Sequence, residues 1–112
     1  MALYEFTGTE GDITANILVV EDDREINRLL CDILAKNKYD CFSEYSGKSA
    51  YEALKNNKYD MVLLDLMLPG FSGEELLKEY RRFSKAPVII ISAKDETAVK
   101  VDMLRTGADD YI

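Results

Sequence analysis

Two short, almost wholly apolar runs constrain this chain most: Asn16 to Val20 (NILVV) and Met61 to Leu64 (MVLL). A strand with one wet face alternates apolar and polar residues. A run without alternation is buried on both faces, as in a parallel sheet with helices packed on each side. Each run ends in acids, Glu21, Asp22 and Asp23 after the first and Asp65 after the second. Open parallel sheets bind ligands beyond the carboxyl ends of their strands, so neighbouring strands gather Asp22, Asp23 and Asp65 around one mouth. Three like charges there require a cation.

The remaining elements follow in alternation. Ile26, Leu29, Leu30, Ile33 and Leu34 keep the spacing of a helix with one apolar face, and the Asp23 carboxylate is placed to cap it. Cys41 to Glu44 reads as a second strand, and Lys48 to Lys55 as a second helix with Ala50, Ala53 and Leu54 inward. The segment Leu66 to Gly73 (LMLPGFSG) is a loop, because Pro69, Gly70 and Gly73 interrupt regular structure. Ser72 caps the next helix, whose acidic start (Glu74, Glu75) and basic end (Arg81, Arg82) complement its dipole. Val88 to Ile91 forms a fourth strand with Ser92 at its end. A helix over Asp95 to Arg105, with Ala98, Val101 and Leu104 on one stripe, is closed by Gly107. Tyr111 and Ile112 begin a fifth strand. Repeated strand and helix alternation gives right-handed crossovers and helices on both faces of a parallel sheet.

A chain of 112 residues holds one domain. Its net charge of −7 argues against a surface for direct nucleic-acid binding, which rests on clustered Lys and Arg. No apolar run approaches the ~18 residues of a membrane span. The first fifteen residues, acidic and without a continuous apolar centre, do not read as a secretory signal, so a cytoplasmic location is expected. Cys31 and Cys41 lack a metal-like spacing and read as two small, reduced core residues. Met61, Met67 and Met103 read as packing.

VVEDD after the first strand, LLDLMLPGFSG at the third, IIISAK at the fourth and GADDYI at the end resemble the receiver domains of two-component response regulators, in the correct order from Asn16 to Ile112. LDLMLPG is most similar to the transcription-factor branch. The resemblance implies a flavodoxin-like open parallel sheet of order 2-1-3-4-5 with helices on both faces. It implies that Asp65 is the phosphoacceptor and that Asp22, Asp23 and Asp65, with the backbone carbonyl of Met67, hold Mg²⁺. Ser92 matches the hydroxyl that contacts the phosphoryl group, and Tyr111 the aromatic whose rotamer switches. Glu21 matches a position where the family varies between acids and ranks below the aspartates as a ligand. The phosphoryl group comes from a sensor histidine kinase or a small phosphodonor, so the domain is a phosphoacceptor with at most self-directed activity, and not an enzyme with a separate substrate.

Residue chemistry agrees with this. Two carboxylates ~4 Å apart repel by roughly 4 kcal/mol at an effective dielectric near 20. Few oxygen ligands with room for water suit Mg²⁺ better than Zn²⁺. Taken singly the same residues have ordinary readings: a cap for Asp23, a satisfied hydroxyl for Ser92, a core ring for Tyr111. Their occurrence together at three strand ends favours the site.

The family pattern continues past GADDYI with a lysine, a proline and a fifth helix. With the chain ending at Ile112, the fifth strand is expected to be incomplete and the fifth helix absent, giving a truncated receiver domain over 16–112 preceded by an extension over 1–15. Loss of the lysine removes a charge partner of Asp65 and raises the dependence on Mg²⁺. Loss of the strand leaves the fourth strand as an exposed edge, from which homodimerisation or exchange of elements between chains is expected. Leu3 to Thr7 offers a short stretch of strand propensity to cover that edge, weighed against a disordered extension. The alternatives are a signalling-incompetent fragment acting through self-association and a Mg²⁺-dependent phosphohydrolase with an aspartate nucleophile. Adjacent Asp22 and Asp23 disfavour the second, since such enzymes resemble one another in two aspartates one residue apart. A flavin or nucleotide module is disfavoured by the lack of a glycine-rich loop after the first strand.

Overall fold

The computed structural model describes residues 14–91 and 107–111. Within them the order is β1 (Asn16–Val20), α1 (Arg24–Lys36), β2 (Asp40–Glu44), α2 (Gly47–Asn56), β3 (Met61–Leu64), α3 (Gly73–Tyr80), β4 (Val88–Ile90) and β5 (Asp110–Tyr111). The strands form one parallel sheet of order β2-β1-β3-β4-β5. This is the expected doubly wound architecture. The expected helix over Asp95 to Arg105, Ser92 and the N-terminal segment through Ile13 lie outside the described residues.

Strand pleating divides the core in two. Leu18, Val20, Val62, Leu64, Val88 and Ile90 point to the face covered by α2 and α3, where they meet Ala50, Leu54, Leu76, Leu77 and Tyr80. Ile17, Val19, Met61, Leu63 and Ile89 point to the face of α1 and meet Leu34. Each fully buried large aliphatic contributes about 1.5–3 kcal/mol of transfer free energy. The central strands, with side chains sunk into both layers, therefore anchor the domain.

α1 departs from expectation. Its apolar stripe was expected to face inward, yet Ile26, Leu29 and Ile33 are 46%, 59% and 45% exposed. Leu30 and Leu34 of that stripe do face inward, joined there by Asn27 and Cys31, so the buried line lies about one residue further round the helix. Two ties hold this rotation. Asn27, fully buried, donates through Nδ2 to the carbonyls of Val19, Glu21 and Glu44 at 3.4, 3.1 and 3.4 Å. Cys31 is joined by a disulfide to Cys41 of β2, with Cα atoms 5.4 Å apart. This corrects the expectation of two reduced core thiols, because the residues face each other across α1 and β2.

The β4 edge also differs from expectation. Asp109 donates its N–H to the Val88 carbonyl at 2.8 Å, and Asp110 and Tyr111 pair with Ile89 and Ile90. Two strand residues suffice because β4 is itself only three residues long. Within the described residues the β4 edge is paired, where an exposed edge was expected. Arg81, just past α3, secures this segment: Nε donates to the Gly107 carbonyl at 2.8 Å and Nη1 to the Ala86 carbonyl at 2.7 Å. Among the described residues no helix is long and apolar enough to cross a membrane.

Candidate functional site

The register of the central strands brings the acids together. Val20 lies opposite Leu64, so the next residues, Glu21 and Asp65, leave neighbouring strands side by side. Asp65 N–H donates to the Val20 carbonyl at 2.9 Å and Glu21 N–H to the Glu44 carbonyl at 3.1 Å, which prolongs the ladder one step past each strand. Both backbones are thus fixed where the side chains turn into the mouth.

Carboxylate oxygens of Glu21, Asp22 and Asp65 lie within 4.8 Å of one another. Glu21 and Asp65 are buried, at 7% and 8% exposure, while Asp22 is open to solvent. The expected trio was Asp22, Asp23 and Asp65, so observation and expectation share two members. Asp23 is turned the other way: its Oδ1 accepts from the N–H groups of Glu25 and Ile26 at 3.0 and 3.1 Å, capping α1. Its Oδ1 is thus engaged in the cap, and the group of three oxygens that come together is Glu21, Asp22 and Asp65. Glu21 occupies the third position, its Oε2 accepting from the Asp23 N–H at 3.1 Å.

Electrostatics single out Glu21. Its carboxyl is pushed up from 4.5 to about 7, by burial above all, with the lowering effect of the Asp23 N–H set against hydrogen bonding to Asp22 and the neighbouring Asp65. Near neutral pH, and without a cation, a proton on Glu21 relieves the crowding of charge. Oxygen-only donors, two sheltered and one open, match the preference of a hard divalent ion that keeps part of its water shell.

The Asp65 side chain is held in place from the loop beyond it. Its Oδ1 accepts from Met67 N–H at 3.1 Å, and the Met67 side chain is exposed. Leu66 and Leu68 are buried in the α2/α3 core, which pins the loop on either side of Met67. At Gly73 the loop enters α3 so closely that a Cβ would strike the Asp65 carbonyl and the Leu66 Cα. At Gly47 a Cβ would strike the Phe71 carbonyl. Ser72 caps α3 by accepting from the Glu75 N–H at 3.2 Å, and its hydroxyl donates to the Glu75 carboxylate at the same distance.

Ser92 and the side chain of Tyr111 lie outside the described residues; the backbone of Tyr111 is in β5, paired with Ile90. Sequence reasoning missed Asn27. Its signal was present: a lone amide four residues after the capping Asp23, on the first inward turn of a helix.

Comparison with known proteins agrees with this geometry. The chain is 45% identical over 96 residues to response regulator ArlR of Staphylococcus saprophyticus, covering 86% of this chain and 44% of that protein. It is 42% identical over 97 residues to ArlR of Staphylococcus haemolyticus, covering 87% and 44%. It therefore spans less than half the length of these curated relatives. Among solved structures, the receiver domain of Francisella response regulator 1452 superposes with a TM-score of 0.85 at 35% identity, over 88% of this chain and 83% of that one. The BeF3-activated N-terminal receiver domain of Klebsiella pneumoniae RstA superposes with a TM-score of 0.84 at 36% identity, over 87% and 83%. The family model of the response regulator receiver domain matches residues 17–112. With parallel sheet, acidic mouth and sequence in agreement, the chain belongs to the receiver domains of two-component response regulators.

Proposed function

We propose that the chain is a phosphoryl-accepting switch in which Asp65 takes the phosphoryl group of a sensor histidine kinase, with Mg²⁺ held by Glu21, Asp22, Asp65 and the Met67 backbone carbonyl. The observation that carries this reading is the meeting of three carboxylates within 4.8 Å at the ends of β1 and β3. When bound, Mg²⁺ supplies the positive charge that offsets the acceptor and the incoming phosphoryl oxygens. The residues of the chain do the rest.

A carboxylate oxygen of Asp65 attacks phosphorus as the bond from phosphorus to the donor imidazole breaks, and the imidazole keeps the electron pair. The product is an acyl phosphate. The Met67 N–H, on Asp65 Oδ1, fixes the carboxylate rotamer and so the direction of attack. Burial of Asp65 keeps bulk water from the reacting oxygen. In this reading Ser92 contacts the arriving phosphoryl group and Tyr111 is the switch aromatic, both by family pattern. The similarity to the RstA domain, which was activated with BeF3, supports Asp65 as the acceptor.

The test is incubation with a small phosphodonor, and separately with beryllofluoride, with and without Mg²⁺, followed by intact mass. One phosphoryl mass should appear only with Mg²⁺ and be absent in Asp65→Asn. A wild-type chain that takes up none under any condition would overturn the reading.

A further inference from the structure

We propose that Cys31 and Cys41 form a reversible thiol–disulfide site, sensitive to small-molecule disulfides, that adjusts the seating of the acidic loop through Asn27. The two residues lie ten positions apart, on α1 and β2, with a Cα separation of 5.4 Å, within the range that a disulfide spans without backbone movement. Both are half-buried at the edge of the α1 face of the core, so a small thiol or disulfide can reach them. The elements they join are already held together: the turn between them is closed by Lys38 N–H to the Ala35 carbonyl and Tyr39 N–H to the Leu34 carbonyl, each at 3.0 Å. Opening the bond leaves the fold intact. That makes it a switchable tie.

The neighbours of Cys31 give the tie something to act on. Its Sγ is 3.6 Å from Asn27 Oδ1 and 3.1 Å from Ser43 Oγ, and Ser43 Oγ itself donates to Asn27 Oδ1. The amide nitrogen of the same Asn27 supports the carbonyls of Glu21 and Glu44. A reduced Cys31 brings an S–H donor to the second lone pair of Asn27 Oδ1, beside the Ser43 hydroxyl. The disulfide removes that donor and fixes the rotation of α1. Oxidation therefore favours the one Asn27 orientation that seats Glu21.

The chemistry balances with a low-molecular-weight disulfide as oxidant. A thiolate of one cysteine attacks a sulfur of the small disulfide, one small thiolate leaves, and a mixed disulfide remains. The second cysteine attacks the protein sulfur of the mixed disulfide and expels the other small thiolate. Two electrons pass from the protein to the oxidant, the two thiol protons end on the small thiols, and excess small thiol reverses both steps.

The test uses the whole chain in buffers of graded thiol to disulfide ratio, with free thiols counted by alkylation and mass, and Mg²⁺ affinity read by titration in the fully oxidised and fully reduced states. Two thiols should disappear together and return with excess small thiol, with the secondary structure unchanged. The oxidised form should bind Mg²⁺ at least about fivefold more tightly, the low end of ordinary coupling between sites. Cys41→Ser in oxidising buffer should bind as the reduced wild type does, and reduced wild type alone supplies that comparison if the variant fails to fold. Thiols that stay free in oxidising buffer, or are lost only as dimers between chains, overturn the switch. Equal Mg²⁺ affinity in both states overturns the coupling. The coupling rests on the metal reading above: no Mg²⁺ binding in either state overturns both of those, while the thiol count judges the disulfide separately.

Discussion

Arg81 Nη2 lies 2.9 Å from Asp109 Oδ2, and the same oxygen accepts the Val88 N–H at 2.8 Å. One carboxylate thus joins the end of α3, the start of β4 and the approach to β5. Asp109 is about half exposed, so its charge attraction to Arg81 contributes little alone. The hydrogen bonds of Arg81 to buried-side carbonyls carry more.

Arg81→Met should therefore destabilise the domain by about 2–3 kcal/mol, leaving the carbonyls of Gly107 and Ala86 without their donor. Arg81→Lys should recover little of this, because a single ammonium cannot span the four acceptors that the guanidinium reaches. Urea unfolding of both variants checks the ordering.

Glu21 and Asp23 should behave as different kinds of acid. Glu21→Gln is expected to weaken Mg²⁺ binding about tenfold or more, having removed a sheltered ligand charge. Asp23→Asn, which keeps a capping oxygen, should bind Mg²⁺ nearly as wild type does. Asp23→Ala should cost about 1 kcal/mol of stability through the lost cap. Isothermal titration and thermal unfolding, run on the same samples, separate the two effects. Equal loss of Mg²⁺ affinity in Glu21→Gln and Asp23→Asn would overturn the assignment.

The raised carboxyl of Glu21 sets a pH dependence for the metal-free domain. The protonated form is cheaper to bury, so its contribution to stability is fully present below 4.5 and is lost as pH rises through about 7. The difference in Tm between wild type and Glu21→Gln, measured in chelator from pH 4.5 to 7.5, isolates it. The variant should gain on wild type as pH rises, and Mg²⁺ should shrink the gap.

The rotation of α1 is testable by two substitutions on one helix. Asn27→Leu should cost about 2–4 kcal/mol, since it leaves the carbonyls of Val19, Glu21 and Glu44 short of a donor. Leu29→Gln, on the exposed side, should change stability by under about 0.5 kcal/mol. An inward-facing Leu29 would reverse this order.

What was legible in the sequence follows from which forces act locally. Unbroken apolar runs can only be central parallel strands, so β1 and β3 and the acids that follow them could be read directly. The facing of α1 could not, because Ile26, Leu29 and Ile33 make a better apolar stripe than the line the fold buries. The three carbonyls at the strand ends demand an amide, and that demand exists only once the strands are side by side. Glu21 and Asp23 are acids two residues apart whose roles separate only when the end of β1 and the first turn of α1 are both set. The capping role of Asp23 was nonetheless readable, and a carboxylate so engaged was already a poor candidate for the mouth. A fifth strand beginning at Tyr111 was legible, but not its extension back to Asp109, whose side chain and N–H both bond the Val88 backbone.

Glycine at position 73 removes any compressible layer between the backbone that carries Asp65 and the first turn of α3. β3 and α3 consequently meet like two parts of a bent rod with no gasket at the joint. A displacement of the Asp65 main chain is handed to α3 without slack, and the Met67 N–H on Oδ1 ties the carboxylate to the loop that runs into the same joint.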